Sequence, residues 1–168
     1  MSMKVIGLIY LLLMPFMGLA QAYQLPNEQV LFKLRTTDNH LLVVALDSTE
    51  EYLVYRYGTD ENIELRFPDD LSASWDLFRY SWYLRGGGME NEGMELDYLY
   101  FDRGQYRYVV FQEYYARSEE ISSGIKVIDR LTDKRTTIDA HPDSVEGTLL
   151  SIRFLERIQE GDEFFEAR

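Results

Sequence analysis

What most constrains this chain is a succession of short β-prone runs with very little sequence between them. Val30 to Arg35, Leu41 to Leu46, Tyr52 to Tyr57, Ile63 to Phe67, Phe78 to Leu84, Leu96 to Phe101, Tyr106 to Tyr115, Ile125 to Ile128 and Thr136 to Ile138 are each rich in Val, Ile, Tyr, Phe and Thr. The segments Thr37-Asp38-Asn39, Asp47-Ser48-Thr49, Gly58-Thr59-Asp60, Asp102-Arg103-Gly104 and Thr132-Asp133-Lys134 that separate them are turn formers. A parallel crossover needs a dozen or more residues, so links this short demand antiparallel neighbours. The expectation is a mainly β domain, an antiparallel up-and-down meander closing as a barrel or a sandwich, with one or two short helical inserts.

Alternation indicates which side chains point inward. In Phe78 to Arg85 it places Phe78, Tyr80, Trp82 and Leu84 on a packed face, and Arg79, Ser81, Tyr83 and Arg85 on a mixed one. Ile63, Leu65 and Phe67 point inward, with Glu64 and Arg66 outward. Leu41 to Leu46 and Tyr106 to Phe111 are apolar on both faces, as in central strands or strands under a covering helix. Asp69 to Trp75 is the expected irregular or single-turn helical insert. A second helix is expected near Ser144, which would cap it with Glu146 in the first turn, although Gly147 opposes it. The acidic tail Glu160 to Glu166 is expected to fray.

The N-terminus reads as an export signal over residues 1–22. Lys4 supplies a short basic region, Val5 to Leu19 is nearly all apolar, and Ala20-Gln21-Ala22 forms an A-x-A cleavage site. The apolar run is shorter than the roughly 20 residues that span a bilayer, and Pro15 interrupts it. Cleavage after Ala22 leaves a single domain, residues 23–168, starting at Tyr23. The short signal suits a bacterium, so the expected location is the periplasm, with secretion as second choice. No later segment is apolar enough for stable membrane insertion.

Charge and composition then exclude partners and chemistries. Of 168 residues 29 are acidic and 17 basic, a net charge of −12, and loss of Lys4 with the signal makes the remainder more acidic. Nucleic acid and anionic lipid both call for a basic surface, so neither is an expected partner. The chain has no cysteine and only His40 and His141 as histidines. Disulfides, thiolate zinc sites and His-rich metal centres are therefore not expected, and neither a metal nor a cofactor is assigned. An exported domain without disulfides must be held by packing alone, here by an unusually large aromatic complement.

Few segments point to chemistry. Arg85-Gly86-Gly87-Gly88-Met89-Glu90-Asn91-Glu92-Gly93 is a Gly-rich acidic connector between two strand signals. Its glycines permit positive φ and close backbone approach, which fits a long hairpin or a partner-contact loop. It lacks the Gly-Lys-Ser/Thr of a phosphate cradle and the ligand spacing of a calcium loop. Glu113, between aromatic neighbours, is the best single acid or base candidate. Neither the Gly-x-Ser-x-Gly elbow nor His-Glu-x-x-His occurs, so no catalytic residue is assigned. Tyrosines exceed what a small core hides, and Tyr with Arg is a pairing enriched at interfaces.

The succession Glu51 to Gly58, Ile63 to Pro68, Tyr80 to Gly88 and Tyr106 to Phe111 resembles small exported bacterial β proteins of unassigned activity. In size, charge and architecture the chain is similar, more loosely, to periplasmic lysozyme inhibitors, which insert a loop into a basic cell-wall hydrolase. Ser122-Ser123-Gly124 resembles their Ser-Gly loop, while Ile125 follows where an aromatic or basic residue is usual, and their cysteines are missing. The first resemblance implies the compartment and the compact β fold only. The looser one, together with the acidic surface, points to an acidic binding protein that neutralises a basic periplasmic or secreted partner, a hydrolase or toxin, as an inhibitor or immunity protein does. Arg85, Gly87, Glu90, Glu92, Tyr83, Ser122 and Ser123 are the expected contact residues. The alternative is a carbohydrate-binding or carbohydrate-active protein that stacks sugars on Trp82 and neighbouring tyrosines.

Overall fold

The computed structural model describes residues 22–165. Apart from Ala22, the export-signal segment lies outside the described residues, as does the end of the acidic tail. The strands are β1 (Glu28–Arg35), β2 (Leu41–Asp47), β3 (Leu53–Gly58), β4 (Ile63–Phe67), β5 (Arg79–Arg85), β6 (Met94–Arg103), β7 (Tyr106–Tyr115), β8 (Glu120–Asp129) and β9 (Arg135–Asp139). Two-residue strands β10 (Glu146–Gly147) and β11 (Gln159–Glu160) follow. They form a 5-stranded sheet in the order β10-β1-β2-β3-β4 and a 6-stranded sheet in the order β11-β5-β6-β7-β8-β9. Each expected run is a strand, and each sheet is built on an antiparallel meander. The sheets do not close into a barrel, and of the two expected architectures the protein adopts the sandwich.

One core joins the sheets. Phe32, Leu34, Leu42, Val44, Leu53, Tyr55 and Phe67 from the first sheet meet Phe78, Tyr80, Leu99, Phe101, Val110 and Ile125 from the second side of the sandwich. Phe101 is its hub, stacked on Phe67 at 4.0 Å between centroids and meeting Tyr55 and Phe78 edge-on. The both-face apolar runs are interior strands, as expected, but their outer faces are covered by chain termini. Val43, Ala45 and Val54 pack with Tyr23 and Tyr52, while Val109 and Phe111 pack with Phe165. The insert between β4 and β5 is a 3-10 turn Leu71–Ala73 followed by α1 (Ser74–Leu77). Trp75 anchors it, its indole N–H donating to Glu50 O and Glu51 O.

Four expectations fail for identifiable reasons. Ser122-Ser123-Gly124 is not a loop but lies inside β8, paired with Glu113, Gln112 and Phe111. Gly124 suits a strand here because the Phe111 ring lies across it; a Cβ would meet that ring at 2.9 Å and Ile138 O at 2.4 Å. Trp82 and Leu84 are not in the core but exposed, because the first sheet stops short of them.

Ser144 does not cap a helix. Its hydroxyl instead bonds Arg35 N and Arg35 O, and Gly147, at φ 78°, approaches β1 so closely that a Cβ would lie 2.1 Å from Leu31 O. The helix that follows is a 3-10 segment, Leu149–Phe154, capped by Thr148.

The described part of the tail is docked rather than frayed. β11 runs parallel to β5, Ser81 Oγ donates to Glu163 O at 2.6 Å, and Lys126 Nζ donates to Phe165 O at 2.6 Å. Phe165 is buried against Tyr98 and Tyr100. Four acidic residues in seven suggested repulsion, but an aromatic plug and backbone hydrogen bonds outweigh it.

Candidate functional site

The register of the second sheet sorts its inward-facing side chains into rows that cross β5, β6, β7 and β8. The row Tyr80, Leu99, Val110 and Ile125 is 2% exposed or less and forms the core. The next row is Trp82, Asp97, Gln112 and Ser123, in which Trp82 is 40% exposed. The last is Leu84, Glu95, Tyr114 and Ile121, with Leu84 at 55%, Tyr114 at 37% and Ile121 at 63%. The inner face of the long sheet thus projects past the shorter sheet as a ledge. A monomer gains nothing from leaving such side chains in water, and a contiguous exposed apolar face marks an interaction surface.

The 3-10 segment Leu149–Phe154 forms the wall of this ledge. Its N-terminus is held by Gln112, whose Oε1 accepts from Thr148 Oγ1 at 2.9 Å and from Leu149 N at 3.1 Å. Leu149 and Ile152 are fully buried. Arg153 lies across the ledge, 4.1 Å above the Trp82 ring, and donates to Asp97 at 2.8 Å and Glu95 at 3.3 Å. Tyr80 also donates to Asp97. Burial, then the bond to Asp97, pushes the Tyr80 hydroxyl well above the ordinary tyrosine range. For Arg153 burial, the largest single influence, works downward, but the hydrogen bond to Asp97, the Asp97 charge and the contribution of Tyr80 together outweigh it and raise the guanidinium. Tyr80 is therefore a neutral donor and Arg153 a fixed cation across the physiological range.

Two concavities open on the ledge. One of about 280 Å³ is bordered by Glu95, Asp97, Tyr114, Ile121 and Leu150. The other, about 610 Å³, lies between β8 and the segment Ala140–Val145 and is bordered by Glu120, Ile121, Ser123, Asp139, Pro142 and Val145. Two buried polar atoms here, Ser123 Oγ and Arg153 Nε, have no hydrogen-bond partner.

The expected contact residues separate into three places. Arg85 ends β5, and Gly87, Glu90 and Glu92 lie in the β5–β6 loop, which folds on itself through a single 3-10 turn, Met89–Asn91. Gly87 has φ 97°, and a Cβ there would meet the Asn91 side chain at 2.4 Å. Arg85 Nε donates to Glu92 O at 2.9 Å, and Arg117 pairs with Glu92 at 3.1 Å. The loop and the β7–β8 turn touch through Ala116 N and Gly93 O, so they form the tip of the ledge. Tyr83 points to the opposite face of the sheet, edge-on to Phe164. Ser122 and Ser123, being consecutive in a strand, face opposite sides, and Ser123 joins the ledge.

Glu113 also faces the outer side, where Lys126 Nζ lies 2.5 Å from it and Tyr98 OH donates to it at 2.9 Å. Its carboxylate is engaged within the fold, not presented to a substrate. Among the described residues no group of three or more His, Asp or Glu is placed to hold a metal, and no helix is long and apolar enough to cross a membrane.

Sequence reasoning missed Glu95, Asp97, Gln112, Tyr114, Ile121 and Arg153. The first two did leave a signal. In Glu95-Leu96-Asp97-Tyr98-Leu99, alternation puts two carboxylates in line with core Leu99, an arrangement a closed interior would not accept. Arg153 left none, since it reaches Asp97 from 56 residues away.

No protein-family model, curated protein or solved structure matches this chain, so the functional reading rests on its own residues.

Proposed function

We propose that the mature chain is an exported, periplasmic binding protein that captures a basic protein partner, such as a cell-wall hydrolase or toxin, on the ledge of its longer sheet. The observation that carries this reading is the outermost row, where Leu84, Tyr114 and Ile121 stand exposed around Glu95. Aromatic and aliphatic anchors beside carboxylates fit a partner surface that mixes apolar groups with Lys or Arg. The net charge of −12 adds long-range attraction for such a partner and speeds encounter. In this reading the Gly-rich loop, with Glu90 and Glu92, rims the site, and the row behind it supplies the grip. The carbohydrate alternative has less support, because Arg153 occupies one face of Trp82, the ring a sugar would stack on.

The test compares wild type, Leu84→Ala/Tyr114→Ala and Glu90→Arg as baits against exported proteins of the source cell. Wild type is expected to retain a basic protein that elutes as salt rises. The double variant should bind it at least 10-fold more weakly, as loss of two central anchors implies, and Glu90→Arg only a few-fold. Equal retention by the double variant would overturn the assignment to the ledge.

A further inference from the structure

The larger concavity lies beside a stretch of open sheet edge. β8 pairs with β7 along its whole length, from Glu120 to Asp129, but β9 pairs only with Gly124 to Ile128. At Asp139 the chain leaves the second sheet and crosses to the first, where Ala140 bridges Thr36 and His141 N bonds Arg35 O. Among the described residues no strand lies against Glu120 to Ser123 on that side.

The direction of the backbone groups follows from parity. Ala140 N bonds Ser123 O, and Asp129 N bonds Lys134 O, so odd-numbered residues of β8 turn their N–H and C=O away from β7. Ile121 therefore presents both backbone groups, and Ser123 its N–H, to the open edge. Sheet edges are normally blunted by a Lys, a Pro or a bulge. Ile121, Ser122 and Ser123 carry none of these, and Ile121 is 63% exposed. The slot beside them is bordered by Ile121, Pro142 and Val145, with Glu120 and Asp139 on its rim and no Lys, Arg or His. The buried Ser123 Oγ without a partner lies in the same wall.

We propose that this edge takes up an extended segment of a basic protein by β-strand addition, continuing the line of β9 along β8. Its backbone pairs with Ile121 and Ser123, an apolar side chain enters the slot, and flanking Lys or Arg meet Glu120 and Asp139. The proposal rests on the capture function above and specifies how the partner is held. Main-chain pairing supplies affinity that depends little on partner sequence, and the acidic rim selects charge.

The probe is a synthetic extended peptide of alternating Val and Lys. It is compared with the same peptide N-methylated at every second residue, and with an alternating Val-Glu peptide. Binding is read by amide shifts and hydrogen-exchange protection in the full mature chain. The Val-Lys peptide should protect the Ile121 and Ser123 amides, with binding at least 10-fold weaker after N-methylation and absent for Val-Glu. Ile121→Pro removes one edge-facing donor without touching the β7 ladder, and should weaken binding comparably while leaving the other amide shifts in place.

Equal binding of the N-methylated peptide, with shifts at Leu84 and Tyr114 only, would overturn strand addition and leave ledge capture standing. Protection of Ile121 that rises with protein concentration in the absence of peptide would also overturn it, assigning the edge to a second copy of this chain. No binding of the Val-Lys peptide by a protein that still retains its basic partner would overturn strand addition alone. Loss of both would remove the capture function with it.

Discussion

Phe101→Ala is expected to lower the unfolding free energy by about 3–5 kcal/mol, the cost of emptying a fully packed aromatic position. Phe101 is 1% exposed and is where the two sheets meet. It stacks on Phe67 of β4 and, at 5.3 Å, on Tyr108 of β7, with Tyr55 of β3 edge-on at 5.1 Å. Its ring therefore touches strands of both sheets, and the cavity left by Ala lies between layers that cannot close without moving one against the other. With no cysteine in the chain, no covalent link offsets the loss. The change is comparable with the whole stability of a small domain. A urea titration reads it as a lower midpoint at unchanged slope. A loss below about 1 kcal/mol would mean that this cluster does not join the sheets.

Glu28→Ala is expected to cost about 3 kcal/mol, because it strands Arg56 without its counter-ion under the N-terminal segment. The Glu28 side chain is 0% and that of Arg56 4% exposed. The two meet in a bidentate pair with both N–O distances at 2.7 Å. Leu25 N and Tyr52 OH also donate to Glu28 at 2.8 and 3.0 Å, and Arg56 donates to Tyr23 O at 3.0 Å. The first residue of the expected mature chain is thus tied to the same network.

Burial alone would raise the Glu28 carboxyl, but the bonds from Arg56, Leu25 N and Tyr52 outweigh it and hold it below its ordinary value of 4.5. A folded-state pKa below the unfolded one stabilises the fold above the ordinary value and ceases to do so as pH falls through the folded value. Wild type should therefore lose thermal stability on acidification below pH 4.5, and Glu28→Gln should show a flatter Tm profile over that window. Parallel profiles would remove the pair from the account of acid stability.

The main strands were legible in the sequence because β-prone side chains and turn formers alternate sharply. The antiparallel meanders β1 to β4 and β5 to β9 followed from the shortness of the links, whereas the placing of β10 and β11 did not. The first half of β8 was not. Ser122-Ser123-Gly124 has loop composition, and only the Phe111 ring on the neighbouring strand explains a glycine there. The docking of the tail was equally hidden, because Phe165 finds Tyr98 and Lys126 only after the sheet exists. Trp82 and Leu84 were misplaced for a related reason: alternation tells which face a side chain takes, whereas exposure depends on how far the opposite sheet extends.

The site was legible in part. The Gly-rich loop drew attention to the same end of the sheet as the proposed ledge, and Ser123 lies on the ledge itself. Arg153 and the 3-10 wall come from a distant segment, and the exposed row Leu84, Glu95, Tyr114 and Ile121 emerges only from the register of four strands.

The central claim, that this ledge holds a basic exported partner, is tested most directly by a photo-crosslinking side chain placed at Tyr114 in the source cell. The same group placed at Arg66, exposed on the outer side of β4, serves as the control. The account predicts an adduct between Tyr114 and a basic exported protein, diminished by high salt and absent from position 66. An adduct only at position 66, or an acidic protein captured at Tyr114 regardless of salt, would contradict it.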